Sequence, residues 1–199
     1  MGVSNGRDKA DTQERILTAA TELFIERGYE RTRVSDIATL AGVSRATVFW
    51  HFSDKASVFR ESFSRMLAPF RESLSRRWDD VVPSKRLEEQ IAISQSFAEE
   101  HGAEIGAFVR WALESPQLRG IVVDSALDLN HRFAGALTET ISELIPADRD
   151  PKLVAHSLML AFDASLLLGF FDARPHIKEE RVAAVNALVA MINRDAIRN

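Results

Sequence analysis

The chain has 199 residues, 46% of them hydrophobic and 27% charged, enough apolar material to bury a core, which excludes wholesale disorder. It contains no cysteine, which excludes disulfides, thiolate metal sites and cysteine nucleophiles and is compatible with a reducing cytoplasm. The net charge of −4 argues against a protein that coats nucleic acid, and the front third is only slightly less acidic than the rest: residues 1–60 hold nine basic and eight acidic residues, the remainder sixteen and twenty-one.

Apolar residues recur mostly at spacings of three and four, so the chain reads as all-α. The polar start Met1-Gly-Val-Ser-Asn-Gly-Arg-Asp8 predicts no secretory leader and a cytoplasmic location. Residues 1–9 read as a flexible tail. Asp11-Thr12-Gln13-Glu14 has capping-box spacing. The helix that follows buries Ile16, Ala20, Leu23 and Phe24 and stops at Gly28. A second helix runs from about Val34 to Ala41. Gly42 then supplies a tight turn and Ser44 caps a third helix, about 45–52. Asp54 caps a fourth, expected to reach about Trp78 with a kink at Pro69. Longer helices follow at about 84–100, 103–114, 116–145, 150–173 and 178–197. Ser115-Pro116 and Asp150-Pro151 open two of them, and Pro146 and Pro175 close two.

Two short helices joined by a glycine turn are helix-turn-helix grammar. Ile37, Ala38, Val43, Val48 and Phe52 form its inward side, with Leu40 less clear. Arg45, Thr47, Phe49, Trp50 and His51 then point elsewhere. Two large aromatics exposed on a short helix need a partner to cover them, and a DNA major groove is one. The alternative is that Phe49 and Trp50 pack on the next domain. Arg45 suits a phosphate or a guanine edge, and Thr47 and the helix N-terminus suit phosphate oxygens. Phe49 and Trp50 suit thymine methyls or sugars; His51 and Lys55 suit backbone contacts beside the groove.

Glu14-Arg-Ile-Leu-Thr-Ala-Ala, Glu22-Leu-Phe-Ile-Glu-Arg-Gly-Tyr29, Val34-Ser-Asp-Ile-Ala38, Ala41-Gly-Val-Ser44 and Thr47-Val-Phe-Trp-His-Phe52 with Lys55 together resemble the tetracycline-repressor (TetR) family. The resemblance covers about residues 10–70. It implies a three-helix DNA-binding domain at 10–70, with its helix-turn-helix at about 33–52. It further implies a helical effector-binding and dimerisation domain at 71–199, and dyad-symmetric operators. It places Ser44, Arg45, Ala46, Thr47, Phe49, Trp50, His51 and Lys55 where the family meets DNA. Three positions depart from the pattern. Arg33 stands where a small hydroxyl residue usually caps the second helix, so either Thr32 takes over or Arg33 contacts phosphate. Phe49 replaces a tyrosine and loses a hydroxyl, and Ala46 replaces a frequent glycine. In a dimer the two recognition helices would lie about 34–36 Å apart.

Leu153–Phe171 is a nearly continuous apolar run, long enough to suggest a membrane span. His156 and Asp163 inside it and the lack of a basic flank argue against that. A homodimer paired through about 150–173 and 178–197 is the expected burial, as the resemblance also implies. Phe97, Phe108, Trp111, Leu129 and Phe133 could line an effector pocket, with His131, His156, Asp163 and Arg110 as polar groups; ordinary core packing is the alternative for each aromatic. Asp163 must find a partner or stay protonated. Gly2-Val-Ser-Asn-Gly6 matches a nucleophile-elbow string but has no preceding strand. His101 and Glu104 have no companion pair, so no metal, cofactor or catalytic residue is expected.

The reading is therefore a non-enzymatic, ligand-responsive transcriptional regulator that binds a double-stranded DNA operator. A small, mainly apolar or aromatic effector is expected to release it as a repressor. A DNA-binding factor without a small-molecule switch, or an activator, is the alternative.

Overall fold

The computed structural model describes residues 4–171 and 174–197. Among them are nine helices and no strand: α1 Ser4–Arg27, α2 Val34–Leu40, α3 Arg45–His51, α4 Lys55–Ser73, α5 Pro83–Glu100, α6 Gly102–Glu114, α7 Pro116–Ser142, α8 Pro151–Phe171 and α9 Pro175–Ile197. The all-α expectation holds, and all nine expected helices are present.

Their ends correct the sequence reading at four places. First, α1 begins at Ser4, so residues 4–10 are helical rather than a loose tail, and the Asp11 box lies inside the helix. The Thr12 hydroxyl donates to the Asp8 carbonyl one turn back at 2.8 Å, as an interior threonine does. Second, α4 stops at Ser73, whose hydroxyl takes up the Phe70 carbonyl at 2.6 Å, and Trp78 lies in the loop beyond. The helix continues through Pro69, whose missing N–H leaves one rung of the ladder unmade. Third, α7 ends at Ser142, where Leu144 N–H bonds the Ile141 carbonyl in a tighter turn. Fourth, Pro175 opens α9 instead of closing α8; a ring that fixes φ and lacks an N–H fits the first turn of a helix.

The chain forms two compact units. One comprises the segment up to Pro69 together with Ala103–Ser125; the other comprises Phe70–Gly102 and the segment from Ala126 onward. The first is built around an aromatic cluster: Phe24 meets Phe59 edge-on at 5.7 Å, and Phe108 packs 5.1 Å from Phe59, 4.7 Å from Phe63 and 5.3 Å from Trp111. Ile16, Ala20, Leu23, Ile37, Ala38, Val48 and Phe52 complete this core as their spacing predicts. The second unit buries Phe70, Leu87, Ile91, Phe133, Leu137, Ile141, Leu158 and Val185.

Candidate nucleic-acid interface

The first unit presents a helix-turn-helix. Arg33 is the α2 N-cap residue, in extended conformation. Its guanidinium cannot accept a hydrogen bond, so capping works from one side only: the Arg33 N–H donates to the Asp36 carboxylate at 3.2 Å. The turn after α2 bends at Gly42, which adopts φ +65°, a region costly for any residue with a Cβ. The Val43 N–H closes the turn on the Ala38 carbonyl at 2.9 Å. Ser44 caps α3: its hydroxyl accepts from the Thr47 N–H at 3.0 Å and lies 2.8 Å from the Thr47 hydroxyl.

Val48 and Phe52 anchor α3 in the core. The opposite face is bare. Arg45 and Ala46 are exposed, Phe49 is 46% exposed and Trp50 is 66% exposed. Leu40, of uncertain side in the sequence, is exposed too. The Arg45 guanidinium lies 5.9 Å from the centre of the Phe49 ring. His51 is half-buried, its ring 4.8 Å from that of Trp50. Burial and the nearby Lys9 ammonium hold the imidazole below its usual pKa, so it stays neutral at physiological pH. The face is then cationic through Arg45, Lys9 and the exposed Arg33 rather than through histidine.

Two of the residues expected at the DNA make their contacts within the fold. Thr32 is 1% exposed, and its hydroxyl donates to the Leu23 and Gly28 carbonyls at 3.1 and 2.9 Å. It neither caps α2 nor reaches the surface. The Lys55 ammonium is turned inward. It donates to the Tyr29 and Thr32 carbonyls at 2.8 and 3.1 Å and lies 4.0 Å over the Tyr29 ring. Burial pushes its pKa down. It ties the α1–α2 connection to the start of α4, where Asp54 accepts from the Ser57 N–H at 2.6 Å as the expected cap.

Two other residues were not foreseen. Arg15 donates to the Ala41 and Gly42 carbonyls at 2.6 and 3.1 Å, fastening α1 to the turn. Lys9 places its ammonium 4.6 Å over the Trp50 ring. Reading residues 1–9 as a tail hid Lys9, and residues 4–10, with no apolar periodicity, offered no signal against that reading.

The expected effector-pocket residues are divided between the units. Phe108 and Trp111 are buried in the first unit's aromatic core. Phe97 and Phe133 belong to the second, where Phe70 stacks on Phe97 at 5.0 Å and meets Phe133 at 5.7 Å. His131 is exposed. His156 is also exposed, its Nδ1 2.7 Å from the Lys152 carbonyl. Asp163 is half-buried and accepts from the Asn130 amide at 3.1 Å. Desolvation raises its pKa above the ordinary carboxylate value. Among the described residues no three acidic or histidine side chains cluster to hold a metal.

A family model of bacterial regulatory proteins, tetR family, matches residues 16–62, from within α1 to within α4. The chain is 36% identical over 86 residues to the HTH-type transcriptional repressor BepR of Brucella suis, covering 42% of this chain and 41% of that protein. It is 46% identical over 81 residues to the HTH-type transcriptional regulator TtgR of Pseudomonas putida, covering 41% and 35%. The matched segment thus spans about two fifths or less of these relatives' own lengths. A TetR transcription regulator from Haloarcula marismortui superposes with a TM-score of 0.72 at 18% identity over 92% of this chain and 98% of that one, a likeness of fold.

Proposed function

Because the chain belongs to the tetR family of bacterial regulatory proteins, we propose that it is a ligand-responsive transcriptional regulator acting as a homodimer on double-stranded operator DNA. DNA binding is assigned to residues 10–70, and effector binding and dimerisation to residues 71–199. The observation that carries the reading is the bare face of α3. A capped seven-residue helix holds Phe49 and Trp50 in solvent beside Arg45, an arrangement that costs apolar exposure unless a groove covers it. Arg33, Ser44, Ala46 and Thr47 are the neighbouring contacts, and a neutral His51 is suited to accept or donate beside the groove. Repression is the proposed sign, supported by the name of the Brucella relative.

Dimerisation is assigned to α8 and α9. Residues Pro151–Gly169 of α8 are long and apolar enough to cross a membrane, yet little of that stretch is buried. Leu153, Leu160, Leu167 and Leu168 form an exposed stripe on α8, as do Leu188 and Met191 on α9. A second copy covers such a stripe without any membrane. Effector binding then shifts the dimer toward a state in which the two recognition helices lose their spacing, with α4, which is shared by both compact units, as the lever. A protein acting on chromosomal operators works in the cytoplasm.

The test is binding of the purified protein to a fluorescent duplex from immediately upstream of its own gene, against a scrambled duplex, over a salt series. Selective binding that weakens with salt is expected, and Arg45→Ala should weaken it by about tenfold or more. Equal binding to both duplexes, unchanged in an Arg45→Ala/Trp50→Ala double variant, would refute the reading.

A further inference from the structure

The recognition helix α3 receives a contact from outside the helix-turn-helix. Trp50 projects from its bare face with 66% of its surface in solvent. An exposed indole of this kind samples several rotamers, and DNA packing on it must select one of them, which costs affinity. In this chain the ring is already held. The Lys9 ammonium lies 4.6 Å over the ring centre, and the His51 imidazole meets the same ring edge-on, at 4.8 Å and 90°.

Lys9 is placed to do this by the first turns of α1. The helix is anchored downstream by the buried Ile16, Leu17 and Ala20. It is also fastened by Arg15, whose guanidinium bonds the Ala41 and Gly42 carbonyls in the turn before α3. Lys9 stands six residues before Arg15, less than two helical turns, or about 9 Å along the axis. Its stem therefore starts from a backbone held close to α3. Tryptophan is the best ring for a cation to lie over, and the attraction holds at exposed sites as well as buried ones.

Lys9 acts on His51 too. Burial is the larger cause of the lowered imidazole pKa, and the Lys9 charge is the other. The imidazole Nδ1 is buried without a hydrogen-bond partner among the described residues. A second proton on the ring would bury a charge there as well. The Lys9 charge and the site thus favour the same neutral ring.

We propose that Lys9 is a positioning residue for operator readout: it holds the Trp50 ring against His51, so that α3 meets DNA with both rings already arranged. It acts through those rings and not as a phosphate ligand. The role in readout rests on the regulator reading above; the clamp in the free protein does not.

Lys9→Met keeps the aliphatic stem and removes the charge, and Lys9→Arg restores a cation. Lys9 is exposed, so neither change disturbs the core. In the free full chain, the indole N–H signals of the three tryptophans and the ring-proton titration of His51 are followed. Trp50→Phe and His51→Gln identify the two signals. Lys9→Met should shift the Trp50 signal and raise the His51 pKa, and Lys9→Arg should return both toward the wild type. Lys85→Met removes the same charge from an exposed lysine of α5 and should move neither.

Against the upstream and scrambled duplexes, Lys9→Met should lose about three- to fivefold of the selectivity with an unchanged salt dependence, and Lys9→Arg should keep it. In a Trp50→Ala background, Lys9→Met should cost nothing further. A salt dependence flatter by about one unit with selectivity intact would make Lys9 a phosphate ligand and overturn the proposal. So would an equal loss with and without Trp50, or Trp50 and His51 signals unchanged in Lys9→Met. Selective operator binding unaltered in Lys9→Met would overturn this inference alone. A wild type that does not distinguish the duplexes would overturn the regulator as well.

Discussion

Lys55 shows how one ammonium group can look like a DNA contact and act as a strut. It follows the recognition helix by four residues, close enough in sequence to suggest a phosphate ligand. In the structure two of its three protons go to the Tyr29 and Thr32 carbonyls, and its charge lies against the Tyr29 ring. Tyr29 feels the same burial: with Glu30 and Asp54 nearby, its phenol is pushed up to about 12 and stays protonated. Lys55→Met keeps the aliphatic stem and strands both carbonyls. It is expected to cost about 1–3 kcal/mol of stability. A phosphate ligand would behave differently, since its loss flattens the salt dependence of DNA binding by about one unit. Thermal melting and a salt series on the same variant therefore decide between the roles. Lower melting with an unchanged slope is the expected result, and a flatter slope would return Lys55 to the DNA interface.

At the scale of the element, the helix-turn-helix was legible because each part announces itself locally. Ser44 at the start of α3, Gly42 in the turn and the Ile37, Ala38, Val48 and Phe52 pattern all follow from spacing and side-chain chemistry. What spacing could not give was the fastening. Arg15 reaches the turn from 26 and 27 residues away, and no local pattern records such a contact. The start of α1 was missed for a related reason: residues 4–10 carry no apolar periodicity, so helix and tail look alike. Phe108 and Trp111 were read as candidate pocket walls, with core packing as the alternative; the structure buries them in a core, and which core they join depends on how the chain folds back, which spacing does not record. Gly42 tests the fastening. An added Cβ there would suffer from φ +65° and would sit 3.2 Å from the Arg15 guanidinium. Gly42→Ala is expected to cost about 1–2 kcal/mol from the backbone alone, with weakened operator binding as the turn loosens. Gly135→Ala in α7, where an added methyl meets nothing within 4 Å, should instead stabilise by about 0.5–1 kcal/mol. Melting of the two variants side by side checks the contrast, and equal effects would show that the turn is not under this constraint.

At the scale of the molecule, the question is what covers α8. Its composition alone would admit a lipid environment, a buried core position or a second copy of the chain. The structure removes the core position, because Leu153, Leu160, Leu167 and Leu168 are all more than half exposed. The other side of the same helix is committed to the second unit through Ala155, Leu158 and Met159. A helix with one side packed on its own unit and a leucine stripe on the other suits the proposed pairing with a second copy. The exposed α9 residues Ala184, Ala187, Leu188 and Met191 recur at intervals of three, one and three, so they too form one stripe. Small residues at two of those positions let a partner helix approach closely. Two such helices from each of two chains make a four-helix interface with apolar contact on both pairs. Leu160→Arg places a charge in the middle of the α8 stripe. It should convert a particle of twice 22.3 kDa into one of that mass in sedimentation, because a buried unpaired charge costs more than a single interface of this kind can absorb. Operator binding should fall with it, since a dyad-symmetric site is read by two recognition helices held at a fixed spacing. A variant that stays dimeric would move the interface elsewhere. A wild-type chain that is monomeric in buffer but partitions into lipid vesicles would give the stripe to a membrane instead.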